Sequence, residues 1–166
     1  MALYFIANGP MPTTAAQVAV TTGTNIKTLL QVKPFLPCII AEWGISFDGS
    51  AAATPIKVEL LETDVAATVT ASVDADVTKF QCPSDQAVAS IAGLTLGTAA
   101  TGYTATAEGT ITAVRMLDVQ FIAPTNQYVK QFPLGREPRI AIAKFGRVRV
   151  TAAAAVNAYC YMVVDI

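Results

Sequence analysis

The sequence predicts an all-β protein, an antiparallel β-sandwich of jelly-roll type with an extended N-terminal arm. Three observations predict it. Apolar and polar residues alternate with a period of two over most of the chain. Turn-forming residues break that alternation at short intervals. No stretch carries the 3.6-residue periodicity of a long amphipathic helix. The 166 residues suit one compact domain that can bury a core without disulfides or a structural metal.

Residues 1–25 differ from the remainder. Asn8-Gly9-Pro10-Met11-Pro12 blocks regular structure, and residues 13–24 are small, polar and threonine-rich. This part is predicted to be an extended arm that packs on its own domain or crosses to a neighbouring subunit. Residues 26–166 are predicted to form the sandwich. Over residues 39–47, Ile39, Ala41, Trp43, Ile45 and Phe47 share one face, and Ile40, Glu42, Gly44 and Ser46 the other. Asp48-Gly49 follows as a tight turn with left-handed backbone. Ile56, Val58 and Leu60 then alternate with Lys57 and Glu59 as a half-buried strand.

Residues 84–91 are predicted to form one or two helical turns capped by Ser84. Over residues 103–121 the odd positions carry most of the apolar side chains, with Leu117, Val119 and Phe121 at the end. That run exceeds one ordinary strand, and Gly109 and residues 114–116 are the expected breaks. Ile140, Ile142, Val148 and Val150 share a parity that slips at Phe145, which predicts a bulge. In the last strand Val156, Ala158, Cys160, Met162, Val164 and Ile166 face inward. Asn157, Tyr159, Tyr161 and Asp165 face outward, and the strand is expected to be pinned into a sheet.

Hydrophobic residues make up 53% of the chain and charged residues 14%, where about 25% charged is usual for soluble domains. Either the core is unusually large or apolar surface awaits a partner. The net charge of −1 argues against a general electrostatic grip on nucleic acid or on an anionic membrane. Arg136, Arg139, Lys144, Arg147 and Arg149 form a local basic group. It reads first as a solvated strand edge or a set of ion pairs, and second as a contact patch for an acidic protein partner. Nucleic acid comes third, because no aromatic residues alternate with these charges as a stacking platform requires.

The chain has no histidine, so the commonest general base, metal ligand and triad member are missing together. No phosphate-cradling glycine loop or EF-hand pattern occurs. Glu42, Glu59, Glu62, Glu108 and Asp118 lie on predicted strands and are expected to be outward and solvated rather than a catalytic pair. Asp74 and Asp76 read as a solvated loop ahead of a cation site. Cys38, Cys82 and Cys160 are odd in number and widely spaced, which predicts free thiols made in a reducing compartment. Cys160 is expected inside, and Cys38, with only Lys33 near it in sequence, is expected to be unreactive. The sequence thus predicts no enzyme and no cofactor.

Trp43 is read as a core residue rather than a sugar platform. Tyr159 and Tyr161 are two outward rings on one strand, which suits an interface; the alternative is that a second layer or the arm covers them. The apolar run Leu3–Ala7 is short and lacks a basic flank, so no signal peptide is expected. No run approaches the length of a membrane span, and a soluble protein made in the cytoplasm is expected.

The run Ala123-Pro124-Thr125-Asn126-Gln127-Tyr128-Val129-Lys130-Gln131-Phe132-Pro133-Leu134-Gly135-Arg136-Glu137-Pro138 resembles segments in virion proteins of tailed bacteriophages. So does Phe145-Gly146-Arg147-Val148-Arg149-Val150-Thr151, together with residues 43–49 and 56–62. The class it resembles is the capsid decoration (cement, head-stabilising) proteins. That resemblance implies a β-rich homotrimer that binds the major capsid protein on the outside of an assembled shell. It also implies a place on the virion, reached by assembly in the host cytoplasm, without nucleic acid or membrane as a partner. Tyr159, Tyr161, Arg136, Arg139, Arg147 and Arg149 are the candidate interface residues, with the N-terminal arm beside them.

A phage tail or fibre-base component is a neighbouring possibility. The alternative from another class is a carbohydrate-binding jelly roll, which needs Tyr103, Tyr128, Tyr159 and Tyr161 aligned in a groove. A two-carboxylate enzyme ranks last.

Overall fold

A computed structural model describes residues 2–50, 53–80 and 92–166. In chain order its strands are β1 (Leu3–Ala7), β2 (Val20–Thr21), β3 (Ile26–Val32), β4 (Cys38–Asp48), β5 (Ile56–Thr63), β6 (Thr68–Ala71) and β7 (Val77–Lys79). They continue with β8 (Gly102–Ala107), β9 (Val114–Ile122), β10 (Gln127–Gln131), β11 (Arg139–Ile140), β12 (Phe145–Thr151) and β13 (Asn157–Asp165). The first sheet runs β10-β4-β13-β1-β7, with β11 also on β4 and β2 on β13. The second runs β6-β8-β3-β12-β5-β9. The strands pair antiparallel throughout.

The two sheets pack together as a sandwich, because each presents one apolar face that water excludes. Ile6, Ile40, Trp43, Ile45, Met162 and Val164 from the first sheet meet Leu30, Val32, Val58, Leu60, Val148 and Val150 from the second in one core. The inward set expected of the last strand is buried at Ala158, Cys160, Met162 and Val164. β13 lies between β4 and β1, which pins it.

Several expectations are corrected. Leu3–Ala7 is not arm: β1 pairs on both sides, with β13 and β7, and buries Tyr4, Ile6 and Ala7. Where β1 ends, the Asn8 side chain carries the pairing on, donating to the Ala158 carbonyl (3.1 Å) and accepting from Cys160 N–H (3.0 Å). A short alternation followed by Gly-Pro looks like an arm in sequence, and neighbours on both edges make it a strand.

In β4 the inward residues are Cys38 and Ile40, then Trp43, Ile45 and Phe47. Val163 pairs with Glu42 and Val164 with Ile40, so Ala41 is the extra residue of a bulge that reverses the parity. Ile39 and Ala41 therefore leave the inward set.

Gly49 does not carry the left-handed backbone expected of a hairpin turn. The chain leaves β4 for the other sheet, and a Cβ at Gly49 would lie 2.9 Å from both Pro124 and Val156. Close approach is what requires glycine there. Gly109 does have positive φ (71°), at the break between β8 and β9.

In β9 the odd positions do not form one inward set: Leu117 packs against the core, and Phe121 does not. Leu60 pairs with Asp118 but Leu61 with Met116, so a bulge at Leu117 shifts the register. Asp118 and Ile122 are buried, and Phe121 on this edge strand is 72% exposed. The slip at Phe145 is a change of sheet rather than a bulge: β11 pairs with β4, β12 with β3 and β5, and Ile142 between them is exposed. Residues 84–91, with their expected helical turns, and Cys82 lie outside the described residues.

Candidate interaction face on the first sheet

Strand register assembles the site. Phe5, Val163, Glu42 and Gln131 stand in one row across β1, β13, β4 and β10. Ala7, Tyr161, Gly44 and Val129 form the next row. Directly opposed residues share a face, so both rows lie on the side away from the core. Along the first row, with Tyr161 from the second, runs a groove of about 480 Å³, walled by Leu3, Phe5, Ala41, Phe80, Phe132, Tyr161 and Val163, with Glu42 and Gln131 among them.

Tyr161 organises the groove. Its ring lies over Gly44, where an added Cβ would stand 2.6 Å from a ring carbon. It stacks on Phe5 at 5.2 Å, and Phe5 meets Phe80 at 6.0 Å. The Tyr161 hydroxyl donates to Glu42 Oε1 at 2.5 Å, and Gln131 Nε2 donates to Glu42 Oε2 at 2.6 Å. Burial, then the Glu42 carboxylate, pushes the Tyr161 phenol well above its ordinary value. Tyr159 stands beside it with ring centres 6.5 Å apart.

Among the described residues Glu42 is the one charged side chain lining the groove, and it pairs with no cation there. The other four carboxylates that the sequence placed on strands do. Glu59 binds Lys57 and Arg149, Glu62 binds Arg115, Asp118 binds Lys130, and Glu108 binds Arg147. These groups are thus tied to partners rather than simply solvated. Glu59 and Asp118 are buried.

The predicted tyrosines Tyr159 and Tyr161 do reach this face, half-buried, with β1 as the neighbour that partly covers Tyr161. The basic group does not form one contact patch, and the first reading, ion pairs, holds for Arg147 and Arg149. Arg136 and Arg139 are exposed at one end of the first sheet. Arg147 is 0% exposed, and Arg149 pairs with Glu59 on the second sheet. Arg147 does point away from the core, but the segments around Val65 and Glu108 fold over it. Its guanidinium donates to the Val65 carbonyl, the Glu108 carbonyl (3.2 Å) and the Glu108 carboxylate (3.3 Å). The same carboxylate accepts from Thr28 N–H (2.5 Å) and its hydroxyl (2.6 Å).

Asp76 is also buried. It accepts from Val73 N–H (2.8 Å) and Met11 N–H (3.0 Å), which fixes a 3₁₀ turn, Asp74–Asp76, against the segment after β1. Among the described residues no group of three or more Cys, Asp or Glu side chains is placed to hold a metal ion. Trp43 is in the core, 5.4 Å from Tyr128. Burial pushes the Cys38 thiol up to about 12, with Asp165 adding to it, and raises Cys160 as well. Both thiols are buried and free.

Sequence reading missed Phe5, Phe80, Phe132, Glu42 and Gln131 as members of one site. The outward parity of Phe5 between Tyr4 and Ile6 is the one signal available. No protein-family profile, characterised protein or solved structure matches this chain.

Proposed function

We propose that this protein is a structural, adhesive subunit of a virus particle. It binds the outer surface of an assembled capsid as a decoration protein of the tailed-phage kind, acting as a homo-oligomer, a trimer, against the major capsid protein. The observation that carries the reading is the aromatic groove on an open sheet face, on a chain with few charges. Phe80 and Val129 on this face are 54% and 52% exposed. Such a surface is costly to leave in water and suits a partner that covers it.

The strand order supports the same reading. We take β1-β13-β4-β10 and β3-β12-β5-β9 as the two four-stranded halves of a jelly roll, with β6 and β8 added at the β3 edge. Viral capsid and lectin domains both use that architecture. The aligned aromatic groove that a lectin requires is not assembled from the four predicted tyrosines. Tyr103 belongs to the second sheet, and Tyr128 turns in against Trp43 with its hydroxyl on Asp118 (2.9 Å).

Light scattering over a range of concentrations tests the reading first, followed by co-sedimentation with empty shells. The expected result is a mass of three 17.4 kDa chains and saturable binding to shells. A monomer that neither self-associates nor binds shells at micromolar concentration overturns it. Binding to isolated tails instead of shells moves the protein to the tail, and a glycan-array signal competed by free sugar makes it a lectin.

A further inference from the structure

We infer that the groove on the first sheet receives a second copy of this chain, through the loop of residues 133–138, with Arg136 set against Glu42 and Leu134 among the aromatic rings. The inference rests on the adhesive reading and names the partner of that face.

The loop has the form of a knob. Leu134 is 96% exposed, an isobutyl group held out in water. Arg136 N–H donates to the Pro133 carbonyl (2.9 Å), and Gly135 has φ of 81° with open space where a Cβ would project. The turn therefore holds Leu134 and Arg136 away from the body. Arg136 is exposed and forms no ion pair among the described residues.

The groove has the complementary form. Both Glu42 oxygens accept from neutral donors, so its charge is oriented but not neutralised. Aromatic walls lower the local dielectric, where an unpaired carboxylate gains most from a cation. A guanidinium answers that need better than an ammonium does, since it is weakly hydrated and its plane stacks on aromatic rings. The apolar walls accept the leucine.

The loop does not fill its own groove. Phe132 lines the groove and Leu134 follows only two residues later, already turned out to solvent. Each copy thus carries both halves of a contact, as a closed homo-oligomer requires. A second cavity, of about 440 Å³ near Cys38 and Ile140, is lined among the described residues by the exposed Arg139 and by no unpaired carboxylate that could receive Arg136. There Arg115 and Glu62 already pair.

The test is the association constant of the full chain by sedimentation equilibrium, for the wild type, Arg136→Glu, Glu42→Arg and the double variant. Each single change is expected to weaken association about tenfold, and the double, which restores opposite charges, to return to within about threefold of wild type. Leu134→Asp, on the exposed loop, is expected to weaken it as much and carries the test with Arg136→Glu if Glu42→Arg does not fold. A wild-type monomer, an oligomer indifferent to Arg136→Glu and Leu134→Asp, or a double variant no better than the singles overturns the inference. Co-sedimentation with shells separates this from the adhesive reading. A protein that binds shells through the same face, with loss on Phe80→Ser, but does not self-associate keeps the reading and refutes the self-contact.

Discussion

Gly44 sits beneath the Tyr161 ring, and there a single absent Cβ decides how the whole groove is built. An alanine would drive the ring off Phe5 and pull its hydroxyl from Glu42, since the ring is held from both sides. Gly44→Ala is therefore expected to cost about 1–3 kcal/mol, the usual penalty for forcing extra volume into a packed site. Urea unfolding measures this, and the change should also abolish any association that uses the groove. An unchanged midpoint would mean that the ring moves aside freely. At this scale the sequence is least informative. Tyr161 is legible as outward, but nothing in the order of residues says that Phe5, more than a hundred positions away, is what it stacks on.

Among the elements, the connections that close over the second sheet depend on Arg147. One guanidinium ties the segment after β5 to the one after β8 through the Val65 and Glu108 carbonyls, while Glu108 holds Thr28 of β3. Arg147→Met removes the cation and leaves two carbonyls and a carboxylate short of a partner. The expected loss is about 3 kcal/mol, with faster hydrogen exchange confined first to residues 64–67 and 108–113. Arg147→Lys should not rescue it, because one ammonium cannot reproduce the planar fork. Loss spread evenly over both sheets would show that Arg147 acts through the core. The basic group looked like a surface in sequence because parity reports which side of a strand a residue takes, not whether another segment lies over that side.

For the whole molecule, pH dependence follows from having no histidine. Asp64 is held at about 2, first by the Thr112 hydroxyl and then by Ala113 N–H. For Glu59 burial pushes the carboxyl up, but Lys57 and Arg149 together outweigh it and bring it below its ordinary value. Both groups are more acidic folded than unfolded. Their contributions are complete above the ordinary carboxylate range and are lost as pH falls from about 4 through the folded values, about 2 for Asp64 and below the ordinary value for Glu59. Stability is expected to be flat from about pH 8 to 5, where only histidine among unperturbed side chains would titrate, and to fall below about pH 4. Asp64→Ala should be less stable than wild type at pH 7, with the difference shrinking as pH falls from about 4 to about 2, by thermal unfolding across the range. A transition centred near pH 6 would contradict this.

Residue type and local pattern alone made legible the all-β class, the inward set of β13, the burial of Trp43 and Cys160, and the break at Gly109. Each follows from residue type or a period of two, which are local properties of a chain. The tertiary structure alone decided the remainder. Bulges at Ala41 and Leu117 reversed the parity of β4 and β9, and one added residue cannot be seen in a pattern whose only mark is which face is wet. Neighbours on both edges turned Leu3–Ala7 from arm into strand, and a change of sheet explained the slip at Phe145. The groove belongs to the same class of facts: β1, β4, β10 and β13 come from four distant parts of the chain, and only their register sets Glu42 between Tyr161 and Gln131.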